Sequence, residues 1–216
     1  MAKIISFGAF RARLRSRQAR LFSLEAYRRF WGQSLDRLSD YLNELISKER
    51  EMSDKKDLKI EAPAGEKHMV LTRTFDAPRS LVWKALSQPE HIVRWWGPHS
   101  HANKVLHFDW RVGGSWRIQS SMPDGMVIVF HGEYREIEPE WKTVQTFAVE
   151  GMYDGQYSVD TLTLEEVDGK TVYKVVSVLP DVAARDGMLQ SGMEVGVVQG
   201  FERLDAILVE LKAEAR

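Results

Sequence analysis

Residues 75–97 read FDAPRSLVWKALSQPEHIVRWWG, and this stretch decides the fold. Pro78 and Pro89 each stand where a first helical turn tolerates a missing N–H, and each is followed by apolar residues at helical spacing. The block therefore reads as a strand followed by two short helices. It also carries Trp83, Trp95 and Trp96. Neighbouring residues on a helix diverge by about 100°, so Trp95 and Trp96 cannot both face one pocket. One is expected in the core and the other near the mouth of an interior space.

Downstream the hydrophobic period changes from helical to two. Leu106, Phe108 and Trp110 alternate with His107 and Asp109, and Gly113 and Gly114 supply a reversal before Trp116, Ile118 and Ser120. Further strands are expected over 126–138, 142–150, 157–167 and 171–179, separated by Glu-Pro-Glu, Tyr-Asp-Gly and Asp-Gly turn signals. With 69–75 they make about seven strands with short antiparallel connections. The chain then closes on a long helical segment over about 182–212. Its stripe of Leu189, Met193, Val197, Phe201, Leu204, Leu208 and Leu211 is wide enough to cover a sheet. The expected class is α+β, with a helical layer on one face of an antiparallel sheet.

Upstream, residues 23–48 place Leu24, Tyr27, Trp31, Leu35, Leu38, Leu42 and Leu45 three or four apart, the pattern of one amphipathic helix. Such a stripe needs an apolar partner, and dimerisation is the expected use. Residues 1–22 form a basic tail read as disordered, and residues 49–67 a charged linker with Pro63 and Gly65. The folded domain is expected over 68–214. Met52 and Met69 are alternative starts for the chain.

The formal charge of −1 over 216 residues hides an asymmetry. Residues 1–20 hold Lys3, Arg11, Arg13, Arg15, Arg17 and Arg20 and no acid, so the rest carries −1 minus 6, or −7. An acidic body argues against nucleic-acid binding. The arginines scatter around a helix rather than forming one face, which disfavours an amphipathic targeting peptide. The longest apolar run, MVIVF at 126–130, falls far short of the ~18 residues a membrane-spanning helix needs. The chain has no cysteine, which rules out disulfides, thiolate nucleophiles and zinc–thiolate sites and makes a cytoplasmic location the expectation.

Four ordered motifs then carry a resemblance: the opening block, DWRVGGSW at 109–116, GEYREIEPEWKTVQTF at 132–147 and MLQSGMEVGVVQGFERLDAIL at 188–208. Together they resemble the bacterial heat-shock-protein-90 ATPase activator homologues, a branch of the START or Bet v 1-like (SRPBCC) superfamily. The resemblance implies a helix-grip fold, in which a curved antiparallel sheet wraps a C-terminal helix and leaves a hydrophobic cavity. Relatives are thought to hold small apolar ligands there. Co-chaperone activity belongs to longer eukaryotic proteins with an added N-terminal domain, which nothing in 1–67 resembles. Separately, YRRFWGQSLDRLSDYLNEL at 27–45 resembles the C-terminal helix of ArsR-type dimeric regulators, which implies dimerisation and carries over no DNA-binding residue.

The candidate ligand-binding residues are Trp95, Phe108, Trp110, Trp116, Phe130, Tyr134, Phe147, Met193 and Val197. Interior pockets are mostly apolar with a few polar anchors, although core packing alone accounts for most such rings. Gly192, Gly196 and Gly200 recur every four residues, and each costs about 1 kcal/mol relative to Ala inside a helix. Close approach of the helix to the sheet, or volume left for a ligand, would offset that cost. His99, His101, His107 and His131 lack a diagnostic metal spacing, so no metal or other cofactor is expected.

Nucleophile-elbow, P-loop and dinucleotide motifs are absent. His131, Glu133, Tyr134 or Asp160 would act as acid or base only if it pointed into a dry cavity. Strand parity sets Ile128, Phe130 and Tyr134 on one face and His131, Glu133 and Arg135 on the other, the apolar face being the expected interior. The leading expectation is therefore binding of a small hydrophobic molecule without catalysis, with self-association through 23–48. The rivals are an enzyme of the START-like cyclase or hydrolase type, marked by a titratable group on the cavity floor, and a regulatory or stress-response interaction protein.

Overall fold

The computed structural model describes residues 58–151 and 156–215. The basic tail, the amphipathic helix with its expected dimer, and the first part of the expected linker lie outside the described residues.

Eight antiparallel strands form one sheet: β1 (Lys59–Glu61), β2 (His68–Phe75), β3 (Ala102–Phe108), β4 (Ser115–Ser121), β5 (Val127–Glu138), β6 (Lys142–Val149), β7 (Ser158–Val167) and β8 (Lys170–Val178). Their order across the sheet is β1-β2-β8-β7-β6-β5-β4-β3. Between β2 and β3 the chain forms α1 (Arg79–Ser87) and α2 (Pro89–Trp95), and after β8 it forms α3 (Val182–Gln190) and α4 (Met193–Glu214). Pro78 caps α1 and Pro89 opens α2, where a fixed φ and a missing N–H cost nothing. The curved antiparallel sheet around a long C-terminal helix is the helix-grip form of the α+β class.

Strict alternation buries Met69, Leu71, Arg73 and Phe75 of β2 beneath the helices. One cluster joins Leu71, Phe75 and Leu164 of the sheet to Val82, Ala85 and Leu86 of α1 and to Phe201, Leu204, Ile207, Leu208 and Leu211 of α4. A second, more aromatic cluster forms on Ile92, Trp116, Ile118 and Tyr134. Trp95 packs against both, and its Nε1–H donates to Ala85 O at 3.0 Å.

The structure differs from the sequence reading in three places. An eighth strand, β1, arises inside the stretch read as linker: Ile60 pairs with Leu71, and Leu58 and Ile60 pack on the first cluster. Three residues are too few to display a period. In β3 the register shifts between Val105 and His107, so Val105 lies opposite Ile118 and Phe108 opposite Trp116. Leu106, read as sharing a face with Phe108, is instead 39% exposed, and Trp110 lies beyond the strand end. A bulge inserts one residue and resets parity.

The terminal segment is likewise two helices, broken at Gly192, whose φ of 79° is the left-handed conformation that favours glycine. Gly192 is thus a cap rather than an interior residue. At Gly200 an added Cβ would sit 2.9 Å from Trp95 O and 3.3 Å from Gly97 N, while at Gly196 it would make ordinary contact with Pro98. These glycines seat α4 against the end of α2 and its following loop, not against the sheet.

Candidate functional site

The expected ligand-binding aromatics separate into two groups. Phe108 and Trp110 stack with centroids 5.8 Å apart, Tyr134 meets Trp110 edge-on at 4.7 Å, and Trp83 meets Trp110 edge-on. Burial pushes the Tyr134 phenol up, so it stays neutral. Trp116, Phe130 and Phe147 instead surround Trp96, with centroids 5.6–6.4 Å from its ring. Trp96 is therefore the ring that gathers this group, although it was not among the expected site residues.

Trp116 is 2% exposed, and its Nε1 is buried without a hydrogen-bond partner among the described residues. An unmade buried donor costs about 1–3 kcal/mol. Its ring packs against Gly132, where an added Cβ would stand 2.8 Å from two ring carbons and far inside contact with Thr146 O. Only glycine fits there.

Trp96 is held by a polar chain that sequence reasoning missed. Asn103 Nδ2 donates to Trp96 O at 2.6 Å, Ser120 Oγ donates to Asn103 Oδ1 at 2.9 Å, and His101 Nδ1 lies 3.0 Å from Ser120 Oγ. Because the hydroxyl proton is spent on Asn103, Ser120 accepts from His101 and is not an activated nucleophile. Burial holds the His101 imidazole below its ordinary value, with Arg203 adding to the effect and Asp124 opposing it. Arg203 Nη1 donates to Pro98 O at 3.1 Å, and His99 Nε2 meets Glu202 at 2.9 Å, fastening the same loop to α4.

The middle of the sheet is polar. Asp160 of β7 lies opposite Ser177 of β8 and Gln145 of β6. Ser158 Oγ donates to Asp160 Oδ1 at 2.9 Å, and the Ser177 hydroxyl also bonds this carboxyl. Burial raises the pKa of Asp160, and the two hydroxyls only partly offset it. Tyr173 is raised by burial first and by the charge of Asp160 second. Among the described residues no Lys, Arg or His pairs with Asp160. The candidate inner-face arginine, Arg73, is bonded to Asp205 and lies over the rings of Phe75 and Phe201.

Glu133 and Arg135 are exposed and His131 is half-buried, while Tyr134 is buried, in line with the expected parity. Of the four acid–base candidates, Tyr134 is packed into the aromatic cluster, and Asp160 is half-buried on the sheet. Ser158 and Ser177 were missed, yet a signal existed. The two-residue Asp168–Gly169 turn, with φ of 52° and 73°, pairs Val167 with Lys170 and so fixes Asp160 opposite Ser177.

Met193 and Val197 of α4 are half-buried, as are Gln145, Phe147, Leu162, Tyr173 and Val175 on the sheet. Val197 packs against the first cluster. Asp160 and Tyr173 are desolvated by the surrounding protein and still keep accessible surface.

With this geometry in place, the comparisons with known proteins fall on the same domain. The model of the family described as activator of Hsp90 ATPase homolog 1-like protein matches residues 76–209. The chain belongs to this family. Its domain is similar in fold to a Mycobacterium smegmatis crystal structure at TM-score 0.64 and 22% identity, covering 69% of this chain and 95% of that one. A Rhodobacter sphaeroides protein superposes at TM-score 0.65 and 23% identity, covering 71% and 98%. An Arthrobacter aurescens solution structure gives TM-score 0.63 and 24% identity, covering 70% and 91%. No curated protein matches this chain. Among the described residues no helix is long and apolar enough to cross a membrane.

Proposed function

We propose that this domain of the Hsp90 ATPase activator homolog 1-like family binds a small, largely apolar molecule between the middle of the sheet and the N-terminal half of α4. The supporting observations are a half-buried stretch of α4, residues 193–199, and a desolvated carboxyl on the sheet that keeps accessible surface. Groups desolvated by protein yet still accessible are what an interior space produces. Phe147, Leu162, Tyr173, Val175, Met193 and Val197 supply apolar walls, and Asp160 and Gln145 supply the few polar anchors such sites use.

Native mass spectrometry of the purified full chain tests the reading directly. Retention of a small molecule by the native protein, lost in a Val197→Trp variant that fills the space, is the expected result. A variant that retains the same adduct would show that the molecule binds elsewhere.

The rival reading, an acid–base enzyme, draws on the same observation, because a carboxyl whose pKa burial raises is better suited to donate a proton. Turnover of the retained molecule by wild type, with binding but no turnover in Asp160→Asn, would favour it. Residues 23–48 are assigned to self-association on the strength of their apolar stripe. Light scattering should give a dimer for the full chain and a monomer once residues 1–52 are removed.

A further inference from the structure

Resting on the ligand-binding reading, we infer that the molecule bound over Asp160 is a lipophilic amine, whose ammonium group meets the Asp160 carboxylate while its apolar body lies among Phe147, Tyr173 and Val197.

Three observations converge on a cation. Asp160 receives two hydroxyl hydrogen bonds but no basic side chain among the described residues. The arginines that reach the interior are committed: Arg73 to Asp205, Arg185 to Pro63 O and Asp186, and Arg203 to Pro98 O. Among the described residues no interior arginine is therefore paired with the carboxyl, and a bound ammonium would supply that charge. Aromatic side chains stand on both flanking strands, Phe147 opposite Ser158 on β6 and Tyr173 on β8, and ring faces attract cations. A carboxylate ligand would meet repulsion from Asp160 at the same place. A neutral alcohol would find hydrogen bonds but no charge.

The charge balance fixes a pH signature. The empty site holds Asp160 protonated to a higher pH than an ordinary carboxyl, because burial disfavours its charge. An ammonium ligand stabilises the carboxylate, so binding releases one proton to solvent, and affinity rises with pH until Asp160 is ionised in the free protein. The groups facing Asp160 do not mask this. Tyr173 from β8 and Tyr134 from β5 are both shifted upward, Gln145 and Thr143 from β6 carry no charge, and Arg73 of β2 is paired with Asp205 of α4. A ligand accepting a hydrogen bond from the neutral carboxyl would show the opposite slope.

Isothermal titration of the full chain with naphthylmethylamine, naphthylmethanol and naphthoate at about pH 6 and about pH 8 tests the assignment. The amine should bind about tenfold or more tighter than the alcohol, and its affinity should rise with pH. Asp160→Asn should abolish that preference, with a cooperative thermal transition reporting that the variant is folded. A Ser158→Ala variant, which keeps the carboxyl, should retain the preference. Equal binding of amine and alcohol, tighter binding of naphthoate, or an amine preference that survives Asp160→Asn would overturn the inference and leave the ligand-binding reading standing. Failure of all three probes to bind would overturn both.

Discussion

The two halves of α4 lie over one sheet and behave differently. From Gly200 onward the helix presents Phe201, Leu204, Ile207, Leu208 and Leu211, all buried, against α1, β2 and β7. Before Gly200 every residue from 193 to 199 is only half-buried, and the sheet also carries a polar group of Asp160, Ser158, Ser177 and Gln145. The C-terminal half holds the domain together: each full burial of a Leu, Ile or Phe contributes about 1.5–3 kcal/mol. The N-terminal half contributes less, because its residues are packed less completely.

The largest effect should follow from breaking the closed half. Phe201 packs edge-on against Phe75 at 5.3 Å and Tyr173 at 5.2 Å, with the Arg73 guanidinium 5.2 Å from its ring. Phe201→Ala should cost about 3–5 kcal/mol, read by denaturant unfolding. A loss below about 1 kcal/mol would mean that this half is not the rigid one.

Gly132→Ala attacks the aromatic end. The new methyl meets both Thr146 O and the Trp116 ring, so β5 and β6 must separate locally. Overpacking of this kind costs about 1–3 kcal/mol. It should also change tryptophan fluorescence, since Trp116 and Trp96 are in contact. An unchanged spectrum would argue that the ring is not seated as described.

Val197→Ala sharpens the contrast, because it removes a comparable apolar group from the open half. A half-buried valine should cost about 1 kcal/mol or less, while affinity for any bound apolar molecule falls. If it destabilises as much as Phe201→Ala, the two halves are equally packed and the distinction collapses.

The closed half was also the more legible one. Pro78, Pro89 and the stripe from Phe201 to Leu211 are local signals, and each predicted its element. The open half depends on where strands stand beside one another. Phe108, Trp110, Tyr134 and Trp116 look alike as sequence, and only the bulge after Val105 and the β3–β4–β5 register sort them into two stacks. Apolar spacing runs unbroken through Ser191 and Gly192, so the helix break could be read only from a left-handed backbone. β1 is stabilised by pairing with β2, a partner its three residues cannot announce.

The smallest effect is the one that isolates Asp160. Its folded-state pKa is raised by burial, so between the ordinary carboxylate value and that raised value the native state holds a proton that the unfolded chain releases. Native binding of more protons means that stability falls as pH rises through this window. Asp160→Asn removes the titration while keeping an acceptor for Ser158 and Ser177. The variant should match wild type near the ordinary carboxylate value and become relatively more stable as pH increases, measured as the difference in thermal midpoint across a pH series. A constant difference would mean that Asp160 does not change protonation on folding. A difference of opposite sign would place a cation beside it, and the open half of α4 would then already be neutralised by the protein itself.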